Sequence, residues 1–196
     1  MSYGSKVNSA GEEIKADGKS LVIVGEKVKG NTIEYFGYAK DQNDNVVETR
    51  AEIKFRQTNG AVFTHSFLAS EEDWAVDKTN REMLHICTKI VTEQEYYAAV
   101  AGCTSFGAFI EAIRTKIISK AAGKSYTLKI SYKENKKTGK WFPGFPNFPN
   151  FIEVDGTMPS TLNTNPTYDF YSIPVATNVA GNTAATSADG QEDVPF

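Results

Sequence analysis

The chain has 196 residues, enough for one ordinary domain with appendages and too few for two full-sized enzymatic domains. Hydrophobic residues make up 40% and charged residues 23%, with a net charge of −3, which fits a packed domain and excludes a globally disordered or wholly basic chain. No apolar run approaches the roughly 18 residues of a membrane-spanning helix, no hydrophobic leader is visible, and Cys87 and Cys103 form no CxxC pair. The expectation is a cytoplasmic protein with reduced thiols and no membrane partner.

In chain order, residues 1–18 are polar and aperiodic, with Gly4, Gly11 and Gly18, and read as a flexible arm. Residues 20–29 and 31–39 are rich in Val, Ile and Tyr, and Gly30 with Asn31 between them predicts a hairpin turn. Over residues 49–57 the alternation is clean: Ala51, Ile53 and Phe55 point one way, and Arg50, Glu52, Lys54 and Arg56 the other. Thr58, Asn59 and Gly60 supply a turn, residues 61–69 a further strand, residues 71–77 an acidic loop, and residues 83–91 a β-branched strand. Five strand candidates therefore precede any helix.

Thr92 followed by Glu95 is a capping-box pattern opening a short helix over residues 93–101. Phe106, Ile110, Ile113, Ile117 and Ala121 recur at helical spacing, and Gly123 closes that second helix. Residues 126–133 return to period two, with Tyr126, Leu128, Ile130 and Tyr132 on one face and Thr127, Lys129, Ser131 and Lys133 on the other. A turn at Lys137, Thr138 and Gly139 leads to a return arm over residues 140–154. Within it Phe142, Phe145, Phe148 and Phe151 recur every third residue among prolines, which favours an extended, polyproline-like path with those rings on one side. The Thr-, Asn- and Ser-rich remainder reads as a tether.

These elements place a core domain over residues 19–154 and a disordered tether with an acidic tip over residues 155–196. The fold class is mainly β: an OB-fold-like, five- to seven-stranded antiparallel barrel with one or two inserted helices, with an open α+β sheet as the competing architecture. Charge follows the same division, because every basic residue lies at or before Lys140 and residues 155–196 carry five acids and no base. Residues 114–140 hold nine Lys or Arg against the single acid Glu134, which is either a solvated face or an electrostatic footprint for phosphates.

Lysines beside aromatic residues on strands are what a sequence-tolerant single-strand binder needs, since each phosphate offers a charge and each base a π-face. The candidate nucleic-acid contacts are Tyr35, Phe36 and Tyr38; Arg50, Lys54 and Arg56; and the hairpin Lys129, Lys133, Lys136, Lys137, Lys140, Trp141 and Phe142. The competing reading for each strand aromatic is burial in the core, and for the Phe-Pro segment a clamp across the sheet. His65, His85, Cys87 and Cys103 include a His85-x-Cys87 pair on an expected strand, but their spacing is unlike the close ligand pairs of zinc sites, so no metal or other cofactor is assigned. No GxSxG, GxxxxGK[ST] or HExxH motif is present, and the expectation is a non-enzymatic protein.

The last residues, Glu192, Asp193, Val194, Pro195 and Phe196 with Asp189 before them, follow a long polar tether and resemble the acidic tip of bacterial and phage single-stranded DNA-binding proteins. That tip usually ends in several Asp and Ile-Pro-Phe; here Val194 replaces Ile and the acids are fewer. The resemblance implies an OB-fold core that coats single-stranded DNA in replication, recombination or repair, and a tip that docks replication or repair proteins. Homo-oligomers are common in that family. The alternatives are a virion structural or interaction module, and a metal-dependent nuclease.

Overall fold

The computed structural model describes residues 6–7, 13–14, 20–147 and 150–173. The tip residues Asp189, Glu192, Asp193, Val194, Pro195 and Phe196, and Phe148, lie outside them. Strands β1 (Lys6–Val7) and β2 (Glu13–Ile14) form a two-residue antiparallel ladder within the N-terminal arm. Three long strands follow, β3 (Gly25–Lys40), β4 (Val46–Arg56) and β5 (Val62–Leu68). Helices α1 (Asp73–Cys87), α2 (Glu93–Val100) and α3 (Phe106–Lys116) come next, then a 3-10 turn (Ile118–Ala121), and the chain returns through β6 (Tyr126–Asn135), β7 (Lys140–Gly144) and β8 (Ile152–Val154). The protein is thus mainly β, a six-stranded antiparallel sheet of order β5-β4-β3-β6-β7 with β8 also paired to β6, plus three helices.

Gly30 and Asn31 do not make the expected hairpin turn; they bend one continuous strand. The Gly25 end of β3 pairs with β6, and from Thr32 onward β3 pairs with β4, so the strand belongs to both halves of the sheet. Gly30 takes φ +74° at this bend, a backbone conformation strained for a residue with a side chain, and a Cβ there would meet Thr58 Cγ2 at 2.5 Å unless that threonine shifted. Asn31 is fully buried, its amide donating to the Val28 carbonyl at 2.6 Å and to the Tyr126 carbonyl at 2.9 Å. The true hairpin turn lies between β3 and β4, where Asp41 Oδ1 accepts from the backbone N–H groups of Asn43 and Asn45.

Residues 71–77 and 83–91, expected as a loop and a strand, are instead mostly α1. Met83, Ile86, Cys87 and Ile90 are buried at helical spacing, so a 3.6-residue period governs the segment rather than its β-branched content. Within residues 20–91, three strands of the six-stranded sheet, not five, therefore precede the helices. The capping box of α2 is present, with Glu95 N–H donating to Thr92 Oγ1 and Thr92 N–H to Glu95 Oε2. The Thr92 backbone N–H, then the Lys120 ammonium and the Thr92 hydroxyl, pull the Glu95 carboxyl down to about 2. In α3 and the turn after it, Ile110, Ile113, Ile117 and Ala121 are buried and Phe106 packs against the core, as the stripe predicts.

The Phe-Pro segment departs from a polyproline path, because residues 140–144 are ladder-paired to β6 and Pro143 opposite Tyr132 sits on a sheet edge. Its rings also do not share one side. Phe142 is 47% exposed, whereas Phe145 is buried among Phe55, Phe63 and His65 and stacks on Phe151 at 4.3 Å. Phe145 thereby brings the β7 end of the sheet against β4 and β5, and β5 and β7 are in contact.

The strand β6 is covered on both faces over residues 126–131. Tyr126, Leu128 and Ile130 enter the core, and the opposite face is buried as well: Thr127 and Lys129 are held by residues 155–170, which composition assigned to the tether, and Ser131 is buried beside them in the strand. Thr127 Oγ1 donates to Asp155 Oδ1, buried Glu153 accepts from Ser160 and Thr161, and Leu162 is buried. Tyr132 N–H donates to the Phe170 carbonyl at 2.6 Å. The folded body therefore includes the segment up to Phe170, well past residue 154.

Candidate nucleic-acid interface

The β6–β7 hairpin closes on a turn in which Thr138 and Gly139 donate to the Asn135 carbonyl and Lys137 N–H to Asn135 Oδ1. Register then sets Lys133 opposite Phe142 and Glu134 opposite Trp141. Between this hairpin, the covering segment and α1 runs a groove of about 440 Å³. Five aromatic side chains line it: Tyr132, Trp141, Phe142, Tyr168 and Phe170. Trp141 meets Phe170 edge-on at 5.6 Å, and Phe142, Tyr168 and Phe170 remain exposed. Flat, half-wet rings of this kind are platforms on which bases stack.

Lys78, Lys133 and Lys136 supply the positive charge of the groove, against the one acid Glu134 in its lining. Lys133 lies partly buried, its stem against Gly144, where a Cβ would stand 3.1 Å from Lys133 Cδ, and its ammonium donates to Asn147 Oδ1 at 2.8 Å. Burial, then the neighbouring Lys78 charge, pushes the Lys133 ammonium down to about 8, against the opposing pull of Glu82 and Asp169. Such a cation gains from any anion that enters the groove.

Much of the basic run over residues 114–140 is committed to the fold. Arg114 pairs with Glu111 and Lys120 with Glu95, while Lys116 and Lys124 donate to the carbonyls of Ala99 and Ile90. Lys129, a candidate contact, is 1% exposed; its Nζ lies 3.1 Å from Asp169 Oδ2 and 2.5 Å from the Asn163 carbonyl, so it holds the covering segment and presents nothing to a ligand. Lys137 and Lys140 are exposed on the hairpin. Of the hairpin set, the structure brings Lys133, Lys136, Trp141 and Phe142 into one groove.

The remaining candidates form a separate face. Phe36 is in the core, which removes it from the contacts, and Tyr38 is half-buried with its hydroxyl against Gly107. Lys54 Nζ lies 5.1 Å over the Tyr35 ring, and Glu52 sits 3.5 Å from both Arg50 and Lys54. Arg56 pairs with Glu34. These cations are compensated by acids, and none of them lines the groove.

His85-x-Cys87 lies on helix α1, where residues two apart point to different sides, and not on a strand. Cys87 is in the core, His65 meets Glu82 at 3.1 Å, and His85 packs on Phe151 at 4.8 Å. Among the described residues no group of three or more His, Cys, Asp or Glu is placed to hold a metal ion, and no helix is long and apolar enough to cross a membrane.

Sequence reasoning missed Lys78, Tyr168 and Phe170 as groove residues. Lys78 was hidden by reading residues 71–77 as a loop. Tyr168 and Phe170 did carry a signal, the aromatic cluster Tyr168, Phe170 and Tyr171 in an otherwise Thr- and Asn-rich stretch. No family model, curated protein or solved structure matches this chain.

Proposed function

We propose that the protein binds single-stranded nucleic acid without catalysing a reaction on it, coating single-stranded DNA with low sequence preference in replication, recombination or repair. The observation that carries this reading is the groove in which five aromatic rings and three lysines converge. Rings are indifferent to base identity and lysines bind only the backbone, so low sequence specificity follows. The compensated face around Tyr35 and Lys54 is a weaker candidate, because a phosphate there must compete with Glu52 and Glu34.

The finer fold reading belongs with this proposal. A path β5-β4-β3-β6-β7, with β3 shared between both halves, β5 and β7 in contact, and helices between β5 and β6, supports a partly open OB-like barrel. In the same reading residues 189–196 recruit replication or repair proteins, acids steering the approach and Phe196 entering an apolar pocket. The test is titration of the full chain with oligo-dT, followed by tryptophan fluorescence at two salt concentrations. Quenching is expected, with micromolar affinity or tighter at low salt. With one phosphate contact for each of the three lysines, a fourfold rise in salt weakens binding about twenty-fold. Binding to duplex only, or to neither form, refutes the proposal.

A further inference from the structure

The aromatic groove does not stop at the sheet. Lys78, Pro146 and Asn147 also line a second cavity of about 130 Å³ that runs past Arg81 and His85. Arg81 in turn lines a cavity of about 690 Å³ between α1, α2 and α3, whose rim carries Trp74 and Tyr97. Trp74 is 69% exposed and Tyr97 53%. Trp74, Lys78, Arg81 and His85 follow one another at spacings of four, three and four, so α1 presents them as one stripe. Lys78 stands 3.9 Å from Glu82, which is also held by His65; Arg81 makes no ion pair among the described residues, its Nε only reaching the Asp77 carbonyl at 3.4 Å.

We propose that a backbone phosphate of the bound strand sits between Lys78 of α1 and Lys133 of β6, and that the strand then leaves the sheet along α1, past Arg81 toward Trp74. This rests on the single-strand reading above and adds a second wall and an exit to it. Continuity of the three cavities through shared residues marks the path. The lysine pair across the first junction, Arg81 with no ion pair among the described residues at the second, and an exposed indole beyond match a repeating phosphate-base polymer better than an apolar peptide. The groups facing Lys133 are Lys78 and Glu82 from α1, Asp169 from the covering segment, and Glu134 and Lys136 of its own hairpin. A phosphate entering among them favours the charged lysine, so binding near pH 8 takes up a proton.

The experiment uses the full chain with wild-type residues, Lys78→Gln, Arg81→Gln and the double variant, titrated with oligo-dT across a salt series. Each single change is expected to flatten the log–log salt slope by about 0.7, and the pair by about 1.4. Lys120→Gln, whose lysine pairs with Glu95, leaves the slope unchanged. Calorimetry in two buffers of different ionisation enthalpy reads the proton uptake, which falls in Lys78→Gln because Lys133 there is already more fully charged. These α1 side chains are solvent-facing, and unchanged circular dichroism shows that folding is intact. Oligo-dT binding with wild-type slope and wild-type proton uptake in the double variant overturns the α1 path and leaves the single-strand reading standing. Absence of wild-type binding at every salt overturns both.

Discussion

Removing Lys129 separates a structural role from a ligand-binding one. Its ammonium and the Asp169 carboxylate are 1% and 0% exposed, 3.1 Å apart, with the Asn163 carbonyl as a second acceptor and Asn165 N–H as the other donor to Asp169. In Lys129→Met the carboxylate stays buried with that single N–H, and its Oδ1 already lacks a partner. Breaking a buried pair from one side costs about 3–5 kcal/mol. For a domain of this size that is a Tm decrease of about 6–20 °C. Asp169→Asn is expected to cost a similar amount, while the double variant lies closer to wild type than either, since no unpaired charge remains. Thermal and urea unfolding followed by tryptophan emission measures this, Trp141 reporting on the covering segment through its contact with Phe170. A loss below about 1 kcal/mol in both single variants, the range of exposed pairs, refutes the reasoning. Unchanged stability combined with lost oligonucleotide binding would return Lys129 to the interface.

Phe145→Ala is expected to cost about 3–5 kcal/mol in urea unfolding, because the ring fills the space between Phe55, Phe63 and Phe151. Thr92→Ala removes half of the α2 capping box and costs about 0.5–2 kcal/mol by the same assay. Burial, reinforced by Lys89, pushes His85 down to about 4 from 6.5. The unfolded chain therefore binds the extra proton first, and the stability this group contributes is present above pH 6.5 and lost as pH falls through 4. His85→Leu flattens the pH dependence of unfolding in that window, and an unchanged profile contradicts the assignment.

The parts of the fold legible in the sequence are those with a strict local period. Ala51, Ile53 and Phe55 alternate because β4 has one buried face, and the Phe106 to Ala121 stripe is helical because one side of α3 and its 3-10 extension meets the core. Failure came where two signals competed or where burial depended on distant chain. Over α1 and the turn that follows it, the apolar residues Leu84, Ile86, Ile90 and Val91 suggest a strand, and only the spacing of buried Met83, Ile86 and Cys87 reveals the helix. Lys129 alternates like a surface residue, and nothing local announces that Asp169, forty residues on, will cover it. The groove was half legible: Lys133, Lys136, Trp141 and Phe142 stand in one hairpin, but Lys78, Tyr168 and Phe170 reach it only through the tertiary fold.

The most direct measurement of the central claim is photo-crosslinking of the full chain to oligo-dT bearing 5-iodouracil, with the attachment sites read by mass spectrometry. Crosslinks are predicted at Trp141, Phe142, Tyr168 and Phe170. Crosslinks confined to the Tyr35 and Lys54 face, or no crosslink at all, would contradict the account.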